Sequence, residues 1–290
     1  MNTNTEIESL VYLLEDPDPL IQQQIEARLL EWGERAIPQL DQARVQSDNR
    51  VEREAIVRIL HRITFSSLME EFANLAHQGI QGRARLESAL FLLSRFGNPT
   101  LDEGYHRRRL NRMAQEVASR LSPEETEGRK MHTLLQYLFG ELQFKGETHD
   151  YHNVENAYLD RVLDRRRGMP VMLGAIVLFL ARRLNFPFYG VNMPVHFMLI
   201  YQGTTRELMI DPFDGGRVVT YDQCHFYLKK NGIQPRPEHF QRCSSEEIVV
   251  RCLRNLMYSY SRRKEEDRVA DLNRLMELVR PDTGTGEINT

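Results

Sequence analysis

Apolar positions recur at helical spacing from the start of the chain. Ile21, Ile25 and Leu29 follow the turn Asp16-Pro17-Asp18-Pro19, in which Asp18 suits a helix cap and Pro19 the first helical position. Thirty residues on, Ser47-Asp48-Asn49-Arg50 opens a second such segment, with Val51, Ala55 and Ile59 in matching places. Between them, Gly33 to Leu40 reads as a helix end followed by the first turn of another helix at Ile37-Pro38. From Arg83 to Val117 two helices are expected, separated by Gly97-Asn98-Pro99. Ser122 and Glu125 form a capping-box pattern for a helix running through Phe139. A polar loop, Lys145 to Asn153, and a short helix, Val154 to Arg165, lead to Val171–Leu184. That helix is apolar on nearly every side and must be buried.

After Asn185-Phe186-Pro187 the period changes. Phe188–Val191, His196–Tyr201, Glu207–Asp211 and Arg217–Thr220 are short strand patterns bounded by Pro, Gly and Asp. A hairpin tipped by Gly203-Thr204 sets His196 directly opposite Asp211 and Met198 opposite Met209. Opposed antiparallel residues share a face, with Cβ atoms about 4.5–5.5 Å apart. A carboxylate beside an imidazole fixes its tautomer, as in a catalytic triad, although such pairs are often structural. From Ser244 the pattern returns to helix, in two stripes: Ile248, Cys252, Leu256, Tyr260, then Val269, Leu272, Leu275, Met276. Pro281 and a polar tail follow.

With 290 residues, 41% of them hydrophobic, the chain can bury a large core, and its net charge of −3 gives no global basic field. Nucleic acid is therefore not an expected partner. Arg107-Arg108-Arg109-Arg112 and Arg165-Arg166-Arg167 are basic clusters, but acidic neighbours make salt-bridged faces the better account. Three cysteines, Cys224, Cys243 and Cys252, lack metal-site pairing and argue against a disulfide scaffold. The polar N-terminus lacks signal-peptide regions, and Val171–Ala181 is too short to cross a bilayer. A cytoplasmic protein without membrane partners is expected.

A buried helix starting after a glycine, then a His-bearing strand, then an Asp-bearing strand is a recognisable order. With the stretches Asn156–Leu163, Arg166–Val171, Val191–Phe197 and Ile210–Phe213 followed by Gly215-Gly216, residues 84–235 resemble the transglutaminase-like superfamily, of papain-like fold. They are most similar to its SirB-type branch. The N-terminal rhythm resembles short HEAT-like helical repeats, against the plainer alternative of an ordinary helical subdomain. The expected fold is α+β. Residues 1–82 are helical, 83–243 form the transglutaminase-like core with a buried helix on a small antiparallel sheet, and 244–290 hold a C-terminal helical pair and the tail.

The resemblance implies a cysteine nucleophile at the start of the buried helix, a His that takes its proton and an Asp that orients the His. His196 and Asp211 match the last two. Pro170 or Val171 stands at the nucleophile position, and neither can attack. The resemblance also implies binding residues at Asn156, Met169, Pro170 and Asn192. Cys224, beside His225, could fold back toward the site or simply fill core. His149, His152 and His196 form a weaker alternative as a metal set; no cofactor is expected. The leading expectation is a non-catalytic binding or regulatory module, a pseudoenzyme, for a peptide or protein partner. Its rival is a hydrolase or acyl transferase using His196–Asp211 as general base.

Overall fold

The computed structural model describes residues 3–15 and 18–279. Asp16 and Pro17 of the expected first turn, and Pro281 with the tail, lie outside them. The chain divides into two compact units, Met1–Phe72 with Leu92–Leu101, and Ala73–Phe91 with Asp102–Thr290.

The first unit is helical: α1 (Thr3–Tyr12), α2 (Pro19–Trp32), α3 (Ile37–Gln46) and the greater part of α4 (Arg50–His77). The Asp18 carboxylate accepts the Leu20 N–H at 2.9 Å and starts α2. Gly33, at φ 56°, ends it, and a short 3₁₀ turn leads into α3 at Ile37-Pro38. Leu29, Ala36, Leu40, Ile56 and Leu60 close one apolar cluster. The 28-residue α4 runs on without a break, so its segment does not reproduce the short helix and Ile-Pro turn of the first.

The second unit carries α5 (Gly82–Gly97) in its first half, then α6 (Glu103–Ala118), α7 (Glu127–Leu135), β1 (Lys145–Gly146), α8 (Leu159–Arg165), β2 (Arg167–Gly168) and α9 (Pro170–Leu184). Strands β3 (Phe188–Val191), β4 (Met198–Gln202), β5 (Glu207–Asp211) and β6 (Arg217–Val219) form an antiparallel sheet in that order. Helices α10 (Tyr221–Lys230), α11 (Ser245–Arg262) and α12 (Glu266–Val279) follow. The fold is α+β, as the pattern of elements predicts. All residues of α9 from Pro170 to Ala181 are buried, and it packs against α6, β3, β4, α8 and α11. Gly174 is what lets the sheet approach: a Cβ there would lie 2.6 Å from the Phe197 ring.

Three details go beyond or against expectation. Ser122–Glu125 is a turn, and Thr126 caps α7 instead, its hydroxyl accepting the Arg129 N–H at 3.3 Å. The second is an element for which the pattern gave no expectation: α10, which follows the last strand, is started by a Thr220–Gln223 capping box. The third is the hairpin register. Gly203 donates its N–H to Arg206 O at 3.0 Å, so the tip is Thr204-Thr205. The ladder pairs Leu199 with Ile210 and Ile200 with Met209. The slip from the expected register is two residues, which preserves every face assignment but leaves His196 before the strand.

A buried ion cluster ties α5 to the core. Glu87, wholly buried, accepts two bonds from Arg183 (2.6 and 2.9 Å) and others from Arg107 (2.8 Å) and Arg182 (3.3 Å). Burial raises its carboxyl pKa, but the Arg183 hydrogen bond and the three positive charges outweigh it and hold the group below the ordinary value of 4.5. Glu87→Gln leaves buried guanidinium charge uncompensated and should cost on the order of 3–5 kcal/mol in urea unfolding. A depressed folded pKa stabilises above the unfolded value, so the wild-type advantage over this variant should be full above pH 4.5 and shrink as pH falls through the folded pKa.

Candidate functional site

His196 is presented by a turn. Its N–H donates to Met193 O at 3.2 Å, and the exposed Val195 adopts φ 55°, a left-handed conformation costly for a β-branched residue. That turn returns the imidazole to Asp211 although the two residues are not ladder partners. Nε2 lies 2.9 Å from Asp211 Oδ2, with both side chains largely buried. An ionised carboxylate only accepts, so the proton between them sits on Nε2, and in the neutral ring the lone pair is at Nδ1. No group of the described residues hydrogen-bonds Nδ1. Asp211 is itself fixed: Oδ1 accepts the N–H groups of Phe213 (2.8 Å) and Asp214 (3.2 Å).

The start of α9 carries no polar side chain. Met169 holds the cap position without a side-chain bond, and Pro170 and Val171, which begin the helix's first turn, are buried. Proline suits that position because its missing N–H has no helical partner to lose. Asn156 is wholly buried and spent internally. Its amide donates to the carbonyls of Asp150 (2.7 Å) and Tyr151 (3.2 Å), its Oδ1 accepts from Arg165 (3.0 Å), and its backbone carbonyl accepts the Met169 N–H (2.9 Å). It therefore positions the 150–151 loop against the start of α9. Asn192 is also engaged, its Oδ1 accepting from Arg251 Nη1 at 2.5 Å.

The three histidines of the metal alternative are not gathered. Among the described residues no three His, Cys, Asp or Glu side chains converge on a metal position. His152 packs against Tyr258 instead, the two rings tilted by 56°. The arginine clusters are largely paired: Arg107 with Glu87 and Glu103, Arg109 with Asp164, Arg165 with Glu155.

What the spacing did not disclose is a row of rings running through His196. Tyr258 meets His152 (4.7 Å between centroids), His152 meets Tyr151 (5.0 Å), and Tyr151 meets Phe213 (6.0 Å). Phe213 then meets His196 (6.1 Å), which meets Tyr227 (5.5 Å). Phe213 rests on Gly146, where a Cβ would lie 2.5 Å from its ring. Gly146 pairs with Gly168, two residues before Pro170, which ties the row to the start of α9. Arg251 reaches the same turn from α11, donating to Asn192 and, at 2.8 Å, to Met193 O. Burial lowers its guanidinium pKa, against the nearby Tyr151 and Tyr227 hydroxyls. The visible signal for Arg251 was a charge bordering the Ile248–Cys252 apolar stripe.

None of the cysteines supplies the missing thiolate. Cys224 is buried on α10 with Met193, Met198 and Met209. Burial, then the Asp211 charge, pushes its pKa up to about 11, and burial lifts Cys243 and Cys252 to about 12. At neutral pH Cys224 should carry at least about a hundredfold less thiolate than a free cysteine. Iodoacetamide followed by mass spectrometry should leave all three unmodified in the native protein and modify all three in denaturant.

These features fall within a sequence profile described as the transglutaminase-like superfamily, which matches residues 105–254, just over half the chain. A UPF0162 protein of Xylella fastidiosa is 29% identical over 201 residues, covering 67% of this chain and 72% of that protein. A UPF0162 protein of Vibrio cholerae is 28% identical over 183 residues, 62% and 67% of the two chains. F-box only protein 21 of Mus musculus is 35% identical over 99 residues, 31% of this chain and 16% of that protein. No solved structure matches the chain significantly. The chain belongs to the transglutaminase-like superfamily.

Proposed function

We propose that this protein is a binding or regulatory module for a peptide or protein partner, in which the superfamily framework serves recognition without a thioester. The observation that carries this is the start of α9. Buried Pro170 stands where the resemblance calls for a thiol, and burial raises the pKa of all three cysteines present. Thiolate attack needs an accessible sulfur in electropositive surroundings. The SirB-type branch and a HEAT-like character for the first unit belong to the same proposal, supported by the four matched stretches and by the Asp18-capped α2. No helix among the described residues is long and apolar enough to cross a membrane; a cytoplasmic location remains part of the proposal.

One observation favours a second reading. Asp211 holds the Nε2 proton and leaves Nδ1 as a basic nitrogen, the arrangement a general base needs to deprotonate water. Asp211→Asn separates the two readings. The amide oxygen can still accept from Phe213 and Asp214, while its NH₂ turned to Nε2 moves the ring proton to Nδ1 and removes the base. Under the binding reading, wild type should release no acid from a panel of esters, amides and peptides beyond the Asp211→Asn background. Peptide binding should persist in this variant. Turnover that falls on Asp211→Asn or His196→Ala would establish the hydrolase instead.

A further inference from the structure

Arg251 has a guanidinium edge that the protein does not use. Nη1 is committed to Asn192 and Met193, but Nη2 and Nε make no hydrogen bond, and no carboxylate of the described residues lies within 4 Å. Burying a guanidinium without an anion is costly, and the lowered pKa reflects that cost. Arg254 and Arg262, both exposed, follow at intervals of three and eleven residues along the same face of α11. Neither is ion-paired within the described residues. Between them Tyr258, 52% exposed, opens the row of rings, with Arg262 6.0 Å from its centroid. The row ends at Tyr227, 38% exposed. Two carboxylates border it, and both are engaged: Asp211 by His196, and Asp150 by the Asn153 amide at 2.9 Å.

We infer that the ring row between Tyr258 and Tyr227 holds an acidic peptide segment, with a Glu or Asp carboxylate taken by the open edge of Arg251. The inference deepens the binding reading and rests on it. A planar guanidinium edge matches a carboxylate, and aromatic faces and edges accept the flanking apolar side chains. The unpaired cations at Arg254 and Arg262 favour further acidic residues beyond the anchor. Single-stranded nucleic acid fits less well, because it needs ring faces open for stacking. Here Tyr151–His152, Tyr151–Phe213 and His196–Phe213 meet edge to face, at 87°, 68° and 87°.

Fluorescence polarisation on the full chain tests this with three pools of short, terminally blocked peptides of shared apolar content. One carries Glu and Asp, one Gln and Asn, one Lys; oligothymidylate is the fourth probe. The acidic pool should bind about tenfold or more tightly than the neutral pool, by the worth of one charge-assisted contact. Arg251→Gln should erase that preference, Arg251→Lys should restore part of it, and Tyr258→Ala should weaken both pools alike. Equal binding of acidic and neutral pools, or an acidic preference that survives Arg251→Gln, overturns the inference and leaves the binding reading standing. Tighter binding of oligothymidylate than of the acidic pool overturns it in favour of nucleic acid. Binding of no probe overturns the peptide-binding reading itself. Should Arg251→Gln fail to fold, the wild-type preference decides: it must exist and must fall with added salt.

Discussion

The constraint on which the second unit depends is that α9 has no polar face. A helix buried from Pro170 to Ala181 must be covered on all sides. Gly174 lets β4 close on one side through Phe197, and α6, α8 and α11 close the others. The covering elements carry the site. The β4 side brings His196, one residue before Phe197, and the α11 side brings Arg251. Asn156, ahead of α8, pins the Met169 amide and the loop that holds Tyr151. The same burial governs the chemistry. A helix start covered by Met169, Pro170 and Val171 is a packed apolar surface, so the amides and partial charge that would activate a thiolate meet no nucleophile.

Side chains around His196 form one mechanical assembly. Arg251 and the His196 amide share the Met193 carbonyl, so α11 and the turn are joined at a single acceptor. Asp211 secures the other end through the Phe213 and Asp214 amides, which places the Phe213 ring between His196 and Tyr151. The buried hydroxyls of Tyr158 and Tyr260, 2.7 Å apart, hold α11 to the segment after Asn156. Three of the five ring contacts in the row meet edge to face, a geometry that aromatic pairs favour.

Much of this was legible in the sequence, and the failures share a cause. The α9 run, the strand sequence and the His–Asp pair follow from local period and motif order. The register erred by two residues because Gly203-Thr204 and Thr204-Thr205 are both reasonable tips, and only the Gly203–Arg206 bond selects between them. Faces survived because a slip of two keeps parity. Pairing of His196 with Asp211 then needed a turn with positive φ at Val195, which no β-branched residue advertises. Arg251 was hidden for a different reason: it lies 35 residues beyond the last motif, Gly215-Gly216, on a helix assigned to the C-terminal pair. Its role comes from tertiary contact with Asn192 and Met193. Thr126 displaced Ser122 as a cap although local preference ranks Ser above Thr, so the cap was not set by local propensity.

An intact His–Asp pair beside an absent nucleophile is no contradiction once the work of Asp211 is divided by atom. Oδ1 holds the Phe213 and Asp214 amides, which the chain needs to turn from β5 toward β6. Oδ2 fixes His196, whose ring separates Phe213 from Tyr227. Each atom has a structural partner that persists without any substrate. An exposed pair with an empty third position would point to a water nucleophile, because no packing would then account for the geometry. Here both side chains are more than four-fifths buried and built into the ring row, so the pair is accounted for by packing and by the turn it closes. The one feature that packing does not explain is the unengaged Nδ1 lone pair, and on that nitrogen alone the general-base reading rests.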